Sequence, residues 1–189
     1  QADSISLQGS KVYSSAEIID LDDIRGNFTI PVTATSGDVT LLAGSMNISA
    51  SQGYSSAKLV GLSNFDDVTV AATSGDVILD ATTGGINVAG ASKIYSSALI
   101  SDFNNLDFTA QATSGDVTIR AAGDMNVTGG DECATSAIYS AAKVDDLWNL
   151  DNVTIGSQSG IVTISSQGNL SLDKTQVYSS AVVSNLGNI

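Results

Sequence analysis

This chain contains no histidine and only small amounts of proline, cysteine, tryptophan and positive charge. Its 189 residues include one Pro, one Cys and one Trp, with seven Lys and Arg against twenty Asp and Glu. Without histidine there is no imidazole for a nucleophilic triad or for a His-ligated metal site. The net charge of −13 makes nucleic acids and anionic membranes poor partners. No run of residues approaches the roughly 18 apolar positions of a membrane helix. We therefore expect neither nucleic-acid binding nor membrane insertion.

The single cysteine excludes an intramolecular disulfide. Cys133 lies in the longest copy of an internal repeat, which predicts an extruded loop where the thiol is either inert or pairs with another chain. Only 14% of the residues are charged and only 5% are aromatic. This composition argues against disorder and favours narrow, closely packed β-structure.

Two short sequence markers alternate along the chain at one period. The first marker, YSSA, occurs at 13–16, 54–57, 95–98 and 178–181, with the variant YSAA at 139–142. The second, ATSGDV, occurs at 34–39, 72–77 and 112–117, with a weaker copy, QSGIV, at 158–162. Two markers at one spacing indicate an internal repeat of about 41 residues.

Each repeat contains four brief runs of β-branched and aliphatic residues, separated by Gly, Asn, Asp and Ser. Such runs predict strands and turns, and no run has helical spacing. We predict an all-β fold: a β-solenoid (parallel β-helix) of about four and a half repeats of ~41 residues, without caps, in one domain over residues 1–189. A propeller and a sandwich are the alternatives. The sequence leaves open whether one turn of the chain takes a whole repeat or half of one.

Strict alternation assigns the side chains to faces. In 39–43, 77–81 and 117–121 the first, third and fifth residues are apolar and should point inward, whereas Asp80 and Arg120 should point to solvent. The same count from each tyrosine marker places its first serine and its alanine inside. It places the five tyrosines outside, as a surface ladder: Tyr13, Tyr54, Tyr95, Tyr139 and Tyr178. A bulge at the serine pair would reverse this assignment.

One stretch resembles a known family. GDVTIRAAGDMNV at 115–127, with similar stretches at 75–88 and 160–170, resembles the glycine-punctuated repeats of filamentous-haemagglutinin-like exoproteins of the two-partner-secretion type. The resemblance covers about half of each repeat, and the tyrosine marker is not part of that family's pattern. It implies a right-handed parallel β-helix, secretion and surface adhesion.

Both ends of the sequence carry ordinary repeat residues rather than polar caps. An open solenoid end is an unpaired strand edge that recruits other chains. We therefore expect a partner of the same kind: an extracellular structural subunit that stacks head to tail into a surface filament or matrix fibre. The two half-repeats do not add up to a whole, so an offset or a neighbour's strand would complete the joint. The alternative is a β-helical adhesin or carbohydrate-binding module that presents the Tyr and Ser rows to surface glycans.

The acidic residues follow the repeat and do not form one irregular site. Catalytic carboxylate pairs need such a site, so we expect no enzyme activity. Stacked carboxylates either bind calcium or accept turn N–H groups while remaining solvated. Calcium is the only cofactor that we consider. Its candidate ligands are Asp38, Asp76, Asp116, Asp66, Asp107 and Asp151.

Five sites match the acceptor pattern for N-glycosylation, which occurs in secreted chains. We interpret Gln1, which leads directly into a strand-like segment, as a mature N-terminus, so the chain is expected to be secreted or on the cell surface. Stacking of Asn side chains at turns explains the acceptor sites equally well. The sites are at Asn27, Asn47, Asn126, Asn152 and Asn169.

Overall fold

The computed structural model describes residues 2–21, 30–63, 68–104, 108–130, 134–149 and 153–187. These residues form eighteen strands and no helix, which confirms the predicted all-β class. The strands are short because Gly, Asn, Asp and Ser interrupt each apolar run.

The strands are, in chain order, β1 (Ala2–Gln8), β2 (Lys11–Ile19), β3 (Ile30–Thr35), β4 (Val39–Ser49), β5 (Gln52–Ser63), β6 (Val68–Thr73), β7 (Val77–Ala81), β8 (Ile86–Ala89), β9 (Lys93–Asn104), β10 (Phe108–Thr113), β11 (Val117–Ala121), β12 (Met125–Thr128), β13 (Ser136–Trp148), β14 (Val153–Gln158), β15 (Val162–Ser166), β16 (Leu170–Asp173), β17 (Thr175–Val183) and β18 (Leu186–Gly187).

The strands form three sheets, and all of their pairings in the described residues are parallel. The tyrosine sheet contains β2, β5, β9, β13 and β17 with β18 beside β13, and the threonine sheet contains β3, β6, β10 and β14. The wide sheet contains β1, β4, β7, β8, β11, β12, β15 and β16. Most inward residues of the three sheets are apolar, and the buried exceptions are mainly serines.

Equivalent residues of successive repeats are direct neighbours. Tyr13 pairs with Tyr54, and Tyr54 pairs with Tyr95. Glu17 and Lys58 in the same strands are 41 residues apart, so the chain returns to the same place after one whole repeat. This answers the question that the sequence left open. Parallel strands that pair with the next repeat are the arrangement of a parallel β-solenoid.

The interior holds two apolar clusters. One lies between the tyrosine sheet and the threonine sheet and includes Leu59, Ile100 and Val144, each of them fully buried. The other lines the wide sheet, where Val77, Leu79 and Ala81 are buried. The inward positions predicted from alternation are therefore correct.

The long strands of the tyrosine sheet bend at one shared position, seven residues after each tyrosine. The residue there has a positive φ in every repeat: 54° at Asp20, 72° at Gly61, 60° at Asp102, 52° at Asp146 and 52° at Asn185. Gly, Asn and Asp tolerate this left-handed conformation better than other residues. The bend turns the strand so that Phe103 and Leu147, just beyond it, are completely buried.

Candidate functional site: a tyrosine ladder backed by a serine seam

The five marker tyrosines form one stacked row on the outer face of the tyrosine sheet. Their ring centroids are 5.2, 4.9, 4.8 and 4.9 Å apart from Tyr13 to Tyr178, and successive ring planes differ by at most 9°. In β9 the half-exposed Tyr95 lies between the buried residues Ile94 and Ser96. The tyrosines therefore point outward and the first serine of the marker points inward, as the alternation predicted.

Stacking decides which part of each ring is available to a partner. Each of the three central rings has a neighbouring ring over both faces, so its edge and hydroxyl group face outward. Tyr13 and Tyr178, at the two ends, have one ring face without a stacked ring in the described chain, and they are 59% and 42% exposed. A sugar ring or another phenol can stack on a face only at these two ends.

The phenols of Tyr95 and Tyr139 are held in the protonated form. Burial raises the pKa of Tyr95, and the adjacent Tyr54 phenol raises it further. Burial also raises the pKa of Tyr139, and so do the phenols of Tyr95 and Tyr178. These two tyrosines consequently present neutral hydroxyl groups, which both donate and accept hydrogen bonds at neutral pH.

Behind the tyrosines, a column of serines crosses the interior and joins the two sequence markers; we call it the serine seam. Four of the five first serines of the tyrosine marker lie 2.7–2.8 Å from a serine of the second marker, Oγ to Oγ, whereas Ser14 Oγ accepts the N–H of Gly37 at 2.9 Å. The three central inward serines, Ser55, Ser96 and Ser140, have no solvent exposure. The seam consists of the pairs Ser36–Ser55, Ser74–Ser96, Ser114–Ser140 and Ser159–Ser179.

Each central serine of the seam has its hydrogen-bonding capacity filled. Ser96 Oγ is 2.9 Å from the Gly75 carbonyl oxygen and 2.9 Å from the Gly115 nitrogen in the next repeat. A hydroxyl group has one proton, and a carbonyl oxygen only accepts, so Ser96 donates to Gly75. The Gly115 N–H and the Ser74 hydroxyl group must then donate to Ser96. Ser55 and Ser140 repeat the pattern.

The glycine of the second marker is required by the closeness of successive repeats. A Cβ atom on Gly115 would lie 2.6 Å from the carbonyl carbon and oxygen of Gly75. A side chain there would push the repeats apart and break the hydrogen bond from Gly115 to Ser96. The two markers therefore recur together because their residues contact each other inside the fold.

Three of the six candidate calcium ligands form a second ladder beside the seam. The N–H of Asp76 donates to Asp38 Oδ1 at 2.9 Å, and the N–H of Asp116 donates to Asp76 Oδ1 at 2.8 Å. In the next repeat Ile161 occupies the aspartate position, and its N–H donates to Asp116 Oδ1 at 2.8 Å. The carboxylates thus accept N–H groups, one of the two roles considered for them.

The calcium hypothesis stays a prediction. In the part of the chain that the structure describes, no group of three or more Asp, Glu, Cys or His side chains is placed to hold a metal ion. The other three candidates, Asp66, Asp107 and Asp151, lie outside the described residues.

Asparagines also stack between repeats. Asn87 Nδ2 donates to Asn47 Oδ1 at 3.0 Å, and Asn126 is the register partner of Asn87 in the next strand. Asn47 and Asn126 are exposed, and the N–H of Asn169 donates to Asp124 Oδ1 at 2.8 Å. Glycosylation of these residues stays a prediction; Asn27, Asn152 and Cys133 lie outside the described residues.

Lysines flank the tyrosine ladder, and two of them pair with carboxylates. Lys58 Nζ is 2.8 Å from Glu17 Oε1 on the neighbouring strand. Lys143 contacts Asp145, whose other carboxylate oxygen accepts a 2.6 Å hydrogen bond from Ser184. The hydrogen bond from Lys143 lowers the pKa of the Asp145 carboxyl group, and the bond from Ser184 lowers it further.

On the outer face of the wide sheet, Arg120 and Asp80 line an open cleft of about 340 Å³ with Thr82 and Gln167. Arg120 Nη2 is 3.8 Å from Asp80 Oδ2, and the guanidinium side chain is more than half exposed. Both side chains point to solvent, as the alternation predicted.

Comparison with protein-family models, with curated proteins and with solved structures found no match to this chain. The resemblance to filamentous-haemagglutinin-like repeats therefore stays a prediction. Among the described residues there is no helix of the length and apolarity needed to span a membrane.

Proposed function

We propose that the chain is a parallel β-solenoid of about four and a half repeats of about 41 residues. We propose further that it acts as a structural subunit that stacks head to tail into an extracellular filament or matrix fibre. The partner in this proposal is a second copy of the chain. The contact would place β16 and β17 of one copy against β1 and β2 of the next.

The observation that carries the proposal is the exposure of inward side chains on the last strands. Val177 and Val183 of β17 are 42% and 43% exposed, although their register partners Ile138 and Val144 are buried to 1% and 0%. Leu172 of β16 is 46% exposed, whereas its partner Val127 is fully buried. Covering such half-exposed side chains contributes about 1 kcal/mol each, because complete burial contributes roughly 1.5–3 kcal/mol.

The ladders make the two edges complementary to each other. Tyr178 ends the tyrosine row on one side with an uncovered ring face, and Tyr13 ends it on the other. A second copy would continue the row at the same strand spacing, with backbone hydrogen bonds between β17 and β2. Such a contact is heterologous and does not close, so it produces a filament.

The threonine sheet would contribute less to this contact. Ser36 donates its N–H to Thr73 of β6, and successive N–H groups of a strand alternate between its two sides. The N–H that Pro31 lacks would therefore point away from β6, toward any strand added to β3. Proline at this place is a common protection of an edge strand. The tyrosine and wide sheets are thus the main contact surfaces.

Location outside the cell is part of the proposal. The net charge of −13 and the repeat resemblance to secreted exoproteins support it. Cell fractionation, with detection of the chain by an antibody, tests this part of the proposal. Recovery of the chain in the cytosolic fraction alone would contradict it.

The alternative function is an adhesin or carbohydrate-binding module that uses the same outward rows. The central tyrosines favour it, because their half-exposed side chains point outward in a regular line. Stacking counts against it, because sugars commonly pack on open ring faces and only Tyr13 and Tyr178 offer one. Glycan binding that is lost in Tyr95→Phe, with assembly unchanged, would favour the alternative.

Light scattering across a concentration series, followed by negative-stain microscopy, tests the main proposal. We expect mass that increases with concentration, together with unbranched filaments as wide as one or a few chains. A monodisperse monomer at the highest concentration would contradict it.

A further inference from the structure

The outer face of the threonine sheet differs in chemistry from the outer faces of the other two sheets. Among the twelve outward positions of its described strands, seven are threonine and none is charged. These positions are Pro31, Thr33, Thr35, Thr69, Ala71, Thr73, Thr109, Gln111, Thr113, Thr154, Gly156 and Gln158.

Charged side chains are present on both of the other faces. The tyrosine sheet carries Lys58, Glu17 and Lys143, and the wide sheet carries Asp80 and Arg120. In a chain with a net charge of −13, two copies that approach through most surfaces repel each other. The threonine sheet is the described sheet face on which two copies can meet without placing like charges together.

The rows on this face are straight and regular. Thr69 pairs with Thr109, and Thr109 pairs with Thr154, without a bulge in the register. Thr35, Thr73 and Thr113 form a second row four residues farther along the strands. Like side chains are therefore repeated about every 4.8 Å in parallel strands, which is the arrangement that lets two sheets interdigitate tightly.

We infer that this face is a lateral contact between filaments, and that its occupant is the same face of a second copy. The inference depends on the proposed head-to-tail stacking. β-Branched threonine side chains would interlock across a gap of about 10 Å between the two sheets. Their hydroxyl groups would bond to each other or to the opposing Gln111 and Gln158.

The size of the face explains why filaments would pair and single chains would not. Four strands spaced about 4.8 Å apart, each with five residues of about 3.3 Å, present about 300 Å². A stable interface buries about 800 Å² on each partner, so one copy is too small and about three stacked copies suffice. Lateral association therefore follows stacking.

Paired substitutions of equal charge test the inference. Thr109→Glu with Thr113→Glu puts two charges on the threonine sheet, and Thr40→Glu with Thr118→Glu, two strands apart, puts two on the wide sheet. Each pair combines one exposed and one half-buried outward residue. We expect paired or bundled filaments in the unsubstituted chain and in the wide-sheet variant, and single filaments of unchanged length in the threonine-sheet variant. Equal widths in the two variants, or only single filaments from the unsubstituted chain, would overturn the inference.

A cross-linking measurement separates this inference from the proposed stacking. In a Cys133→Ser background, Gln111→Cys puts a thiol at the centre of the threonine sheet, and Thr118→Cys puts one on the wide sheet. Under copper-phenanthroline oxidation we expect disulfide-linked pairs to form at least tenfold faster for Gln111→Cys. Filament length reports on stacking, whereas this ratio, measured on filaments, reports on the face. A ratio near one in filaments contradicts the inference and leaves the stacking proposal intact.

Discussion

Ser96 Oγ lies 2.7 Å from Ser74 Oγ, across the interior of the fold, and both serines are buried. The first belongs to the tyrosine marker and the second to the glycine-containing marker 22 residues earlier. This hydrogen bond connects the strand that carries Tyr95 to the turn that contains the second marker. The buried serine next to each tyrosine therefore helps to fix the position of that tyrosine.

Removing a seam hydroxyl group should destabilise the fold. Ser96→Ala leaves the Gly115 N–H and the Ser74 hydroxyl group without their acceptor in a dry interior. We expect a loss of roughly 1–3 kcal/mol in the free energy of unfolding for the unsatisfied groups. Urea denaturation measures it, and Ser97→Ala, one residue along on the outer face, is the matched control. Equal losses in the two variants would show that the seam contributes nothing specific.

The tyrosine row should make the fold sensitive to alkali. The pKa of Tyr95 and of Tyr139 is higher in the folded chain than the ordinary value of about 10. Their contribution to the free energy of unfolding is complete below pH 10. It is lost as the pH rises above 10, because the unfolded chain then releases protons that the folded chain keeps. Tyr139→Phe should reduce this alkaline loss. Phenolate absorbance and thermal unfolding from pH 9 to 12 check it, and a phenolate signal near pH 10 in the folded chain that becomes smaller in Tyr139→Phe would contradict it.

Asp145 should contribute to stability in the opposite pH range. Its pKa is lowered in the folded chain by Lys143 and Ser184, so its contribution is complete above the ordinary carboxyl value of about 3.9. This contribution to stability is lost as the pH falls through the lowered pKa that Asp145 has in the folded chain. Asp145→Asn should lower the melting temperature at pH 7 and flatten its decline in acid. Asp146→Asn, the adjacent residue, is the control and should leave the acid dependence unchanged.

The role of the aspartate ladder can be separated from calcium binding. Asp76 accepts the N–H of Asp116, and asparagine keeps that acceptor while removing the repulsion between stacked carboxylates. We expect Asp76→Asn to be as stable as the unsubstituted chain and Asp76→Ala to lose about 1 kcal/mol. Chelator should leave the melting temperature unchanged. A chelator-induced drop that disappears in Asp76→Asn would establish calcium as the ligand.

Much of the fold could be predicted because it depends on local alternation. A period of two places Val77, Leu79 and Ala81 inside and Tyr95 outside, and neither assignment needs knowledge of the partner strand. The repeat then indicates that equivalent residues meet. The signal is strong because every copy repeats it.

The seam and the bend were missed for different reasons. The contact between Ser74 and Ser96 crosses the interior, and alternation along one strand cannot show which inward residues face each other. The bend had a visible signal: Asp20, Gly61, Asp102, Asp146 and Asn185 all stand seven residues after a tyrosine. That column of Asp, Asn and Gly inside an apolar run is typical of a left-handed corner.

The most direct test of head-to-tail stacking uses two adjacent valines of β17. Val182 and Val183 are 40% and 43% exposed, but Val182 lies on the outer face and Val183 continues the buried column of Val144. Val183→Asp would place a carboxylate inside the joint, whereas Val182→Asp would place it in solvent. Filament length at equal chain concentration is the measurement. The stacking proposal predicts that Val183→Asp yields monomers with unchanged circular dichroism while Val182→Asp still forms filaments, and equal filament lengths in the two variants would contradict it.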